Sequence, residues 1–273
     1  MSTDTLPLKH PNAPDRVLLV DALRGFALMG LFLVHSIELF ELYWKYSVES
    51  KVHDVIFFLF AGKAYAIFAM LFGVSFFIIM DRQAQKGINF RWRFLWRLIV
   101  LFGLGTLNSM VYSGEVLQVL AGYGLILVLV YGISNRWLLI LSVVSLLNIQ
   151  LIYHHFTAAA GLPGANEQPL SWTIYPQCLE AWSTVTSMWE VMKFNLTTGS
   201  FAKWLFFFEG SRGFQLFGLF LFGLVLGRMG FFQHPTKFLR ARKLAFVVAI
   251  LAAILFYALK QNIAHLDKTI WAE

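Results

Sequence analysis

Asp21-Ala-Leu-Arg24-Gly-Phe-Ala-Leu-Met-Gly-Leu-Phe-Leu-Val-His35 opens the first long apolar run of the chain, yet it carries an acid, a base and an imidazole. At 100° per residue, Asp21, Arg24, Leu28 and His35 fall within a helical sector of roughly 60°. Arg24 and His35 are three turns apart, about 16 Å along the axis. Charges at a helix end are cheap, so Asp21 and Arg24 paired as i,i+3 can serve simply to orient a helix at the membrane interface. His35 lies deep in the run, and an ionisable group at that depth needs partners inside a bundle.

The whole composition agrees with a membrane setting. Of 273 residues, 58% are hydrophobic and 14% charged, with a mean hydropathy of +0.66; a soluble domain is nearer 45–50% apolar and about 25% charged. The 28 Phe and 9 Trp suit lipid-facing and interfacial positions better than an aqueous core. The net charge of +7 could suggest nucleic acid, but the Lys and Arg flank apolar runs, as in cytoplasmic loops, so no nucleic-acid partner is expected. A single cysteine, Cys178, excludes an intramolecular disulfide. The polar stretch 1–16 ahead of the first run, with no small-x-small cleavage site, reads as a cytoplasmic tail and not as a cleavable signal peptide.

Hydropathy predicts an all-α polytopic bundle over 17–260 with about seven spans, at 17–40, 54–80, 95–113, 115–133, 137–156, 210–232 and 244–260. The segment 157–208 is punctuated by Trp172, Trp182, Trp189 and Trp204 and reads as an outer-face insertion of interfacial amphipathic helices. Residues 261–273 read as a C-terminal tail. The basic loops at 81–97, 136 and 228–243 share one side when the N-terminus is cytoplasmic, which satisfies the positive-inside rule in a cell (inner) membrane.

Several polar groups then fall at similar depth near the outer side: His35, Lys63, Asn108, Glu115 and Glu209 with Arg212 and Gln215. Their levels span roughly 15 Å at 1.5 Å per residue. Arg24, Arg97 and Arg228 form a cytoplasmic set. Lys63, in the middle of an aromatic run, is read as buried and functional or charge-paired, since snorkelling serves residues near a helix end. Glu115 and Glu209 read equally well as interfacial residues, and Arg97 and Arg228 as positive-inside anchors. The adjacent His154 and His155 do not share a helix face and make a poor metal pair, and no zinc spacing or phosphate loop is present, so no metal is expected.

Asp21-x-x-Arg24-Gly with His35 eleven residues after the arginine resembles the first-helix signature of the integral-membrane acyltransferases, including the O-antigen and exopolysaccharide O-acetylases. That resemblance implies Arg24 and His35 as a functional pair. A wider set is similar to the YeiB-type bacterial inner-membrane family: Lys63-Ala-Tyr-Ala-Ile-Phe-Ala-Met-Leu-Phe-Gly, the Arg-rich start of helix three from Arg93 to Leu107, Ser113-Gly114-Glu115-Val-Leu, and Gly218 to Gly227 with Arg228. The heparan-α-glucosaminide N-acetyltransferases share the same Asp-x-x-Arg-Gly start. YeiB-type and heparan-type relatives usually carry Asn where His35 stands, and Asp where Glu115 stands, so the resemblance to the O-acetylases is what implies a catalytic His35. YeiB-type chains continue through several more helices, so this chain is expected to be short or truncated relative to them.

The expected activity is transfer of an acyl group, acetyl being the first choice, from cytoplasmic acyl-CoA to a sugar or other hydroxyl acceptor at the outer face. In that reading Arg24, oriented by Asp21, and Arg97 hold the acyl-CoA phosphates. His35 is the general base, Lys63 stabilises the oxyanion or an acidic acceptor, and Asn108, Glu115 and Glu209 bind the acceptor. Membrane lipids surround the bundle, and a homo-oligomer is compatible with it. The alternatives are a permease for an anionic solute, using the same cations as a path, and a non-catalytic membrane scaffold. Against the permease, the sequence shows no pair of broken helices in corresponding halves.

Overall fold

The computed structural model describes residues 17–39, 50–161, 169–234 and 236–267. The expected tail 1–16, most of the loop after helix one, the Gly- and Pro-containing start of the 157–208 insertion and the last six residues lie outside the described residues. Among the described residues there is helix and no strand. The chain divides into two compact units, residues 1–229 and 230–273.

The first unit holds α1 (Leu18–Ile37), α2 (Lys51–Phe60), α3 (Lys63–Ala84), α4 (Arg91–Val111), α5 (Leu117–Val130), α6 (Asn135–Leu146), α7 (Ile149–Ala159), α8 (Leu170–Thr184), α9 (Met188–Phe194), a π-helical turn (Asn195–Gly199), α10 (Ser200–Glu209) and α11 (Arg212–Arg228). In α1 the buried residues are Val20, Ala27, Gly30 and Val34, a stripe of mostly small side chains at helical spacing. Leu18, Phe26, Leu28, Met29 and Phe32 cover the rest of the helix and are exposed, as suits a surface in contact with lipid acyl chains. Close approach explains the small residues. A Cβ on Gly30 would lie 2.7 Å from the Phe60 ring and 2.9 Å from Ala64.

The same device, more tightly applied, joins α3 to α11 at the centre of the unit. A Cβ on Gly73 would come within 2.1 Å of the Phe220 carbonyl oxygen, and one on Gly223 within 1.9 Å of that of Met70. Glycine permits backbone-to-backbone packing of the kind that membrane helices use in place of a hydrophobic driving force. Around this crossing sit Phe76, Leu120, Leu127, Leu138, Leu216 and Phe220, all buried. Ser142 donates to the Gly218 carbonyl at 2.7 Å and ties α6 to the same helix. The α4–α5 hairpin closes where Gly105 faces the backbone of Gln118.

The count of seven spans is not recovered. Among the described residues three segments can cross a membrane by length and composition, Leu18–Ile37, Lys51–Ala84 and Arg91–Val111, and a fourth if Met188–Glu209 and Arg212–Arg228, bent by 69°, count as one. The expected fourth and fifth spans come out short, because α5 has 14 residues and α6 has 12. At 1.5 Å per residue these reach about 21 and 18 Å, against a hydrocarbon core of about 30 Å. Asn148, in the left-handed region at φ 49°, separates α6 from α7. The expected helix at 54–80 is interrupted at Ala61-Gly62, where Gly62 has φ 70°. A left-handed residue ends one helix and starts the next, and glycine takes it without steric cost.

The second unit consists of a turn opened by Gly230 at φ 67° and of α12 (Leu239–Asp267). Arg242 donates to the Phe231 carbonyl and lies over the Phe231 ring at 4.9 Å. The helix expected at 244–260 therefore starts earlier and runs on to Asp267.

Candidate functional site

On α1, Arg24 donates to Asp21 Oδ1 at 3.0 Å, as the i,i+3 spacing requires. Its second guanidinium nitrogen donates to Ser75 Oγ on α3, and that hydroxyl donates to the Leu71 carbonyl. Arg24 is thus fixed from two helices while its side chain stays 37% exposed. A guanidinium held by neutral and acidic partners on one edge and open on the other suits an anionic ligand.

Three turns further on, His35 Nδ1 lies 3.0 Å from the Tyr112 hydroxyl. The rings meet edge-on, with centroids 5.6 Å apart and an interplanar angle of 71°. Glu38, one turn after His35, places Oε2 3.6 Å from the same nitrogen. Glu38 is itself buried, at 8% exposure. Tyr112 follows α4 in an extended conformation, φ −137° and ψ 105°, which turns its ring out of the helix and across to α1. Among the described residues no hydrogen bond engages His35 Nε2.

The hairpin that carries Tyr112 also carries Glu115, and Glu115 leads to a residue the sequence reading missed. Lys203 of α10 places its ammonium 2.7 Å from Glu115 Oε1 and 2.7 Å from Gln118 Oε1. Both side chains of the ion pair are buried, Lys203 to 6% and Glu115 to 1% exposure. The other carboxylate oxygen accepts the backbone N–H groups of Leu117 at 2.7 Å and Gln118 at 3.4 Å, at the start of α5, where a negative charge also meets the helix dipole. Gln118 Nε2 donates to Thr106 Oγ1 at 2.9 Å, which closes the network on α4. One helical stretch before Lys203, Asn195 in the π turn accepts from Trp182 Nε1 at 2.6 Å and donates to the Met110 carbonyl at 3.1 Å. Single π turns inside helices often mark functional sites.

The remaining residues singled out in the sequence are placed elsewhere. Lys63 is not buried in mid-span. It stands exposed at the α2–α3 break, donates to the Phe58 carbonyl and lies 5.0 Å over the Phe58 ring. The break at Ala61-Gly62 makes it the first residue of α3, from which its side chain reaches back to the end of α2. Asn108 is exposed on α4, and the face of that helix turned to α5 is formed by Gly105 and Ser109 instead. Glu209 accepts from the Leu170 and Ser171 N–H groups at 3.2 and 2.9 Å and so caps the start of α8. Arg97 lies 5.3 Å over the Phe90 ring in an open cleft with Trp92, Arg93 and Trp96. Arg228 donates to the carbonyls of Tyr131 and Ile133 and, at 2.9 Å, to Asn135 Oδ1. It caps the α5–α6 turn. The side chains of His154 and His155 lie outside the described residues.

The structure therefore brings together Asp21 with Arg24, His35 with Tyr112 and Glu38, and Glu115 with Lys203 and Gln118. Lys203 carried a readable signal, a lone cation in the aromatic run Phe201 to Phe208. Tyr112 and Glu38 carried none, because their role depends on where the α4–α5 hairpin lands.

Known proteins set this arrangement in a family. A family model described as heparan-alpha-glucosaminide N-acetyltransferase, catalytic, matches residues 16–176. An uncharacterized 39.9 kDa protein in the amylase 3′ region of Bacillus acidopullulyticus is 34% identical over 124 residues, 45% of this chain and 36% of that protein. The uncharacterized protein YxaH of Bacillus subtilis (strain 168) is 26% identical over 145 residues, 47% of this chain and 36% of its own length. The chain thus spans about a third of the length of the curated relatives it matches. No solved structure matches. The matched segment runs through α1 with Arg24 and His35, through Tyr112 and Glu115 and into α8, more than half of the chain, and the protein belongs to the heparan-α-glucosaminide N-acetyltransferase catalytic family within the integral-membrane acyltransferases.

Proposed function

We propose that this chain is a membrane-embedded acetyltransferase that moves an acetyl group from acetyl-CoA at the cytoplasmic side to an amino- or hydroxyl-bearing sugar at the outer side. The observation that carries the reading is the α1 face, where an anchored, half-open arginine lies three turns from an imidazole whose Nε2 is unengaged among the described residues. That separation, about 16 Å, matches an extended pantetheine arm between a phosphate site and a thioester.

Arg24 and the Arg93/Arg97 cleft bind the CoA phosphates, and Asp21 and Ser75 orient Arg24. His35 Nε2 takes the proton from the acceptor nucleophile as it attacks the thioester carbonyl. The C–S bond breaks, the sulfur leaves with the bonding pair, and the imidazolium returns its proton to it. Lys63 and Asn108, both exposed, take an acidic group and the polar edge of the acceptor in this reading. Glu115 and Glu209 are already committed, one to Lys203 and one to the cap of α8, so they hold the frame of the acceptor side and do not contact the acceptor. The basic loops orient the chain with its N-terminus in the cytoplasm of a bacterial inner membrane.

The test is binding of acetyl-CoA to the detergent-purified full chain, with Arg24→Ala as control. Binding that weakens at least tenfold in the variant supports a donor site at Arg24. A folded, monodisperse wild-type protein that binds no acetyl-CoA refutes it. One observation favours a second reading. The 69° bend between Met188–Glu209 and Arg212–Arg228 is a broken helix of the kind that lines transporter sites. That reading requires solute flux without consumption of an acyl donor.

A further inference from the structure

We propose that Glu38 and Tyr112 are positioning residues that hold His35 in the tautomer with the proton on Nδ1, leaving the Nε2 lone pair to act as the base; the inference rests on the acetyltransferase reading of the same site. The ring presents one nitrogen, Nδ1, to both residues. The Tyr112 hydroxyl at 3.0 Å is within hydrogen-bond distance, and the Glu38 carboxylate at 3.6 Å is within Coulombic reach only. Tyrosine alone does not choose a tautomer, because a phenol can donate to an unprotonated Nδ1 or accept from a protonated one. Glu38 decides the choice. A carboxylate buried to 8% exposure repels a lone pair on Nδ1 and attracts an N–H there, in surroundings that screen less than water. Nδ1–H then donates to the Tyr112 oxygen.

The opposite tautomer would put the proton on Nε2 and remove the base. Glu38 and Tyr112 are the titratable groups that the described residues set against this ring, one from α1 itself and one from the end of α4.

The position of Tyr112 is set from outside α1. The two residues before it, Met110 and Val111, offer their carbonyls to Asn195 Nδ2 at 3.1 and 3.5 Å. Three residues after it, Glu115 is held by Lys203. The π turn and α10 therefore grip the hairpin on both sides of Tyr112, which gives the buried Lys203–Glu115 pair a task at the imidazole without contact to it.

The experiment measures acetyl transfer from acetyl-CoA to glucosamine by the full chain in lipid nanodiscs, for wild type, His35→Ala, Tyr112→Phe, Glu38→Gln and Glu38→Asp. Tyr112→Phe and Glu38→Gln are expected to lower kcat by roughly 10- to 100-fold, the range in which a positioned base contributes, with acetyl-CoA affinity within about twofold of wild type. Glu38→Asp should restore part of the kcat lost in Glu38→Gln. Histidine 15N NMR, with the His35 signal identified among the 7 histidines by its loss in His35→Ala, should show a protonated Nδ1 in wild type and a mixed tautomer in Glu38→Gln. If His35→Ala abolishes turnover while Tyr112→Phe and Glu38→Gln keep wild-type kcat and tautomer, the positioning proposal is wrong and the base assignment stands. If His35→Ala keeps wild-type turnover, both are wrong.

Discussion

Replacing Lys203 by Met should be among the most damaging single changes outside the glycine crossings. The ammonium is held at 2.7 Å by Glu115 and at 2.7 Å by Gln118, with 6% of the lysine side chain and 1% of the glutamate exposed. Removing one member of a buried pair costs about 3–5 kcal/mol, because the other charge is left without compensation. Glu115 keeps its two backbone donors at the start of α5, which offsets part of the loss, so the lower end, about 3 kcal/mol, is expected. Glu115→Gln should cost a similar amount, since it strands the lysine. The double variant Lys203→Met/Glu115→Gln removes both charges and should lie within about 1 kcal/mol of wild type, a coupling of several kcal/mol. Reversible unfolding in mixed micelles, followed by the emission of the 9 tryptophans, measures each value. Single variants within about 0.5 kcal/mol of wild type, or strictly additive effects, would refute the claim that the pair is buried and coupled.

Further expectations follow from the packing. Gly223→Ala places a methyl 1.9 Å from the Met70 carbonyl oxygen, where backbone meets backbone and no rotamer relieves it; the loss should be about 3 kcal/mol or more, seen as a fall in monodisperse protein on size-exclusion chromatography. Burial pushes the Cys178 thiol up to about 11, so it should react slowly with maleimide at pH 8 in the folded protein and rapidly once unfolded. The sign of its linkage is fixed by the same shift. The folded state favours the neutral thiol, so its contribution is constant below the ordinary thiol value near 9 and is lost as the pH rises from there toward 11, which pH-dependent unfolding can read. Arg228→Lys should cost about 1–2 kcal/mol, because one ammonium cannot reproduce the fork that serves Tyr131, Ile133 and Asn135.

The membrane class and the helical architecture were legible in composition alone, since 58% apolar residues leave too little polar surface for a soluble domain. The salt bridge of Asp21 with Arg24 was legible from i,i+3 spacing, a local property of one helix. The span count falls short of seven where helices end early: α5 stops at Val130, and Asn148 at φ 49° divides the expected fifth span, a single dihedral angle that an averaging window does not register. The expected burial of Lys63 is not found, because the break at Ala61-Gly62 makes it the exposed first residue of α3. The counterpart lysine, Lys203, lay in a segment whose aromatic residues suggested the interface, and its partner is 88 positions away in sequence. Periodicity reports which face a helix buries. It does not report which distant hairpin meets that face, and so Tyr112 stayed invisible while His35 did not.

Acetyl transfer itself is the most direct test of the account. The purified chain in lipid nanodiscs, given radiolabelled acetyl-CoA and glucosamine, should yield acetylated product. The same preparation of His35→Ala, still folded and still binding acetyl-CoA, should lose at least 100-fold in rate. Equal product from His35→Ala and wild type would contradict the claim that the imidazole on α1 is the base of this reaction.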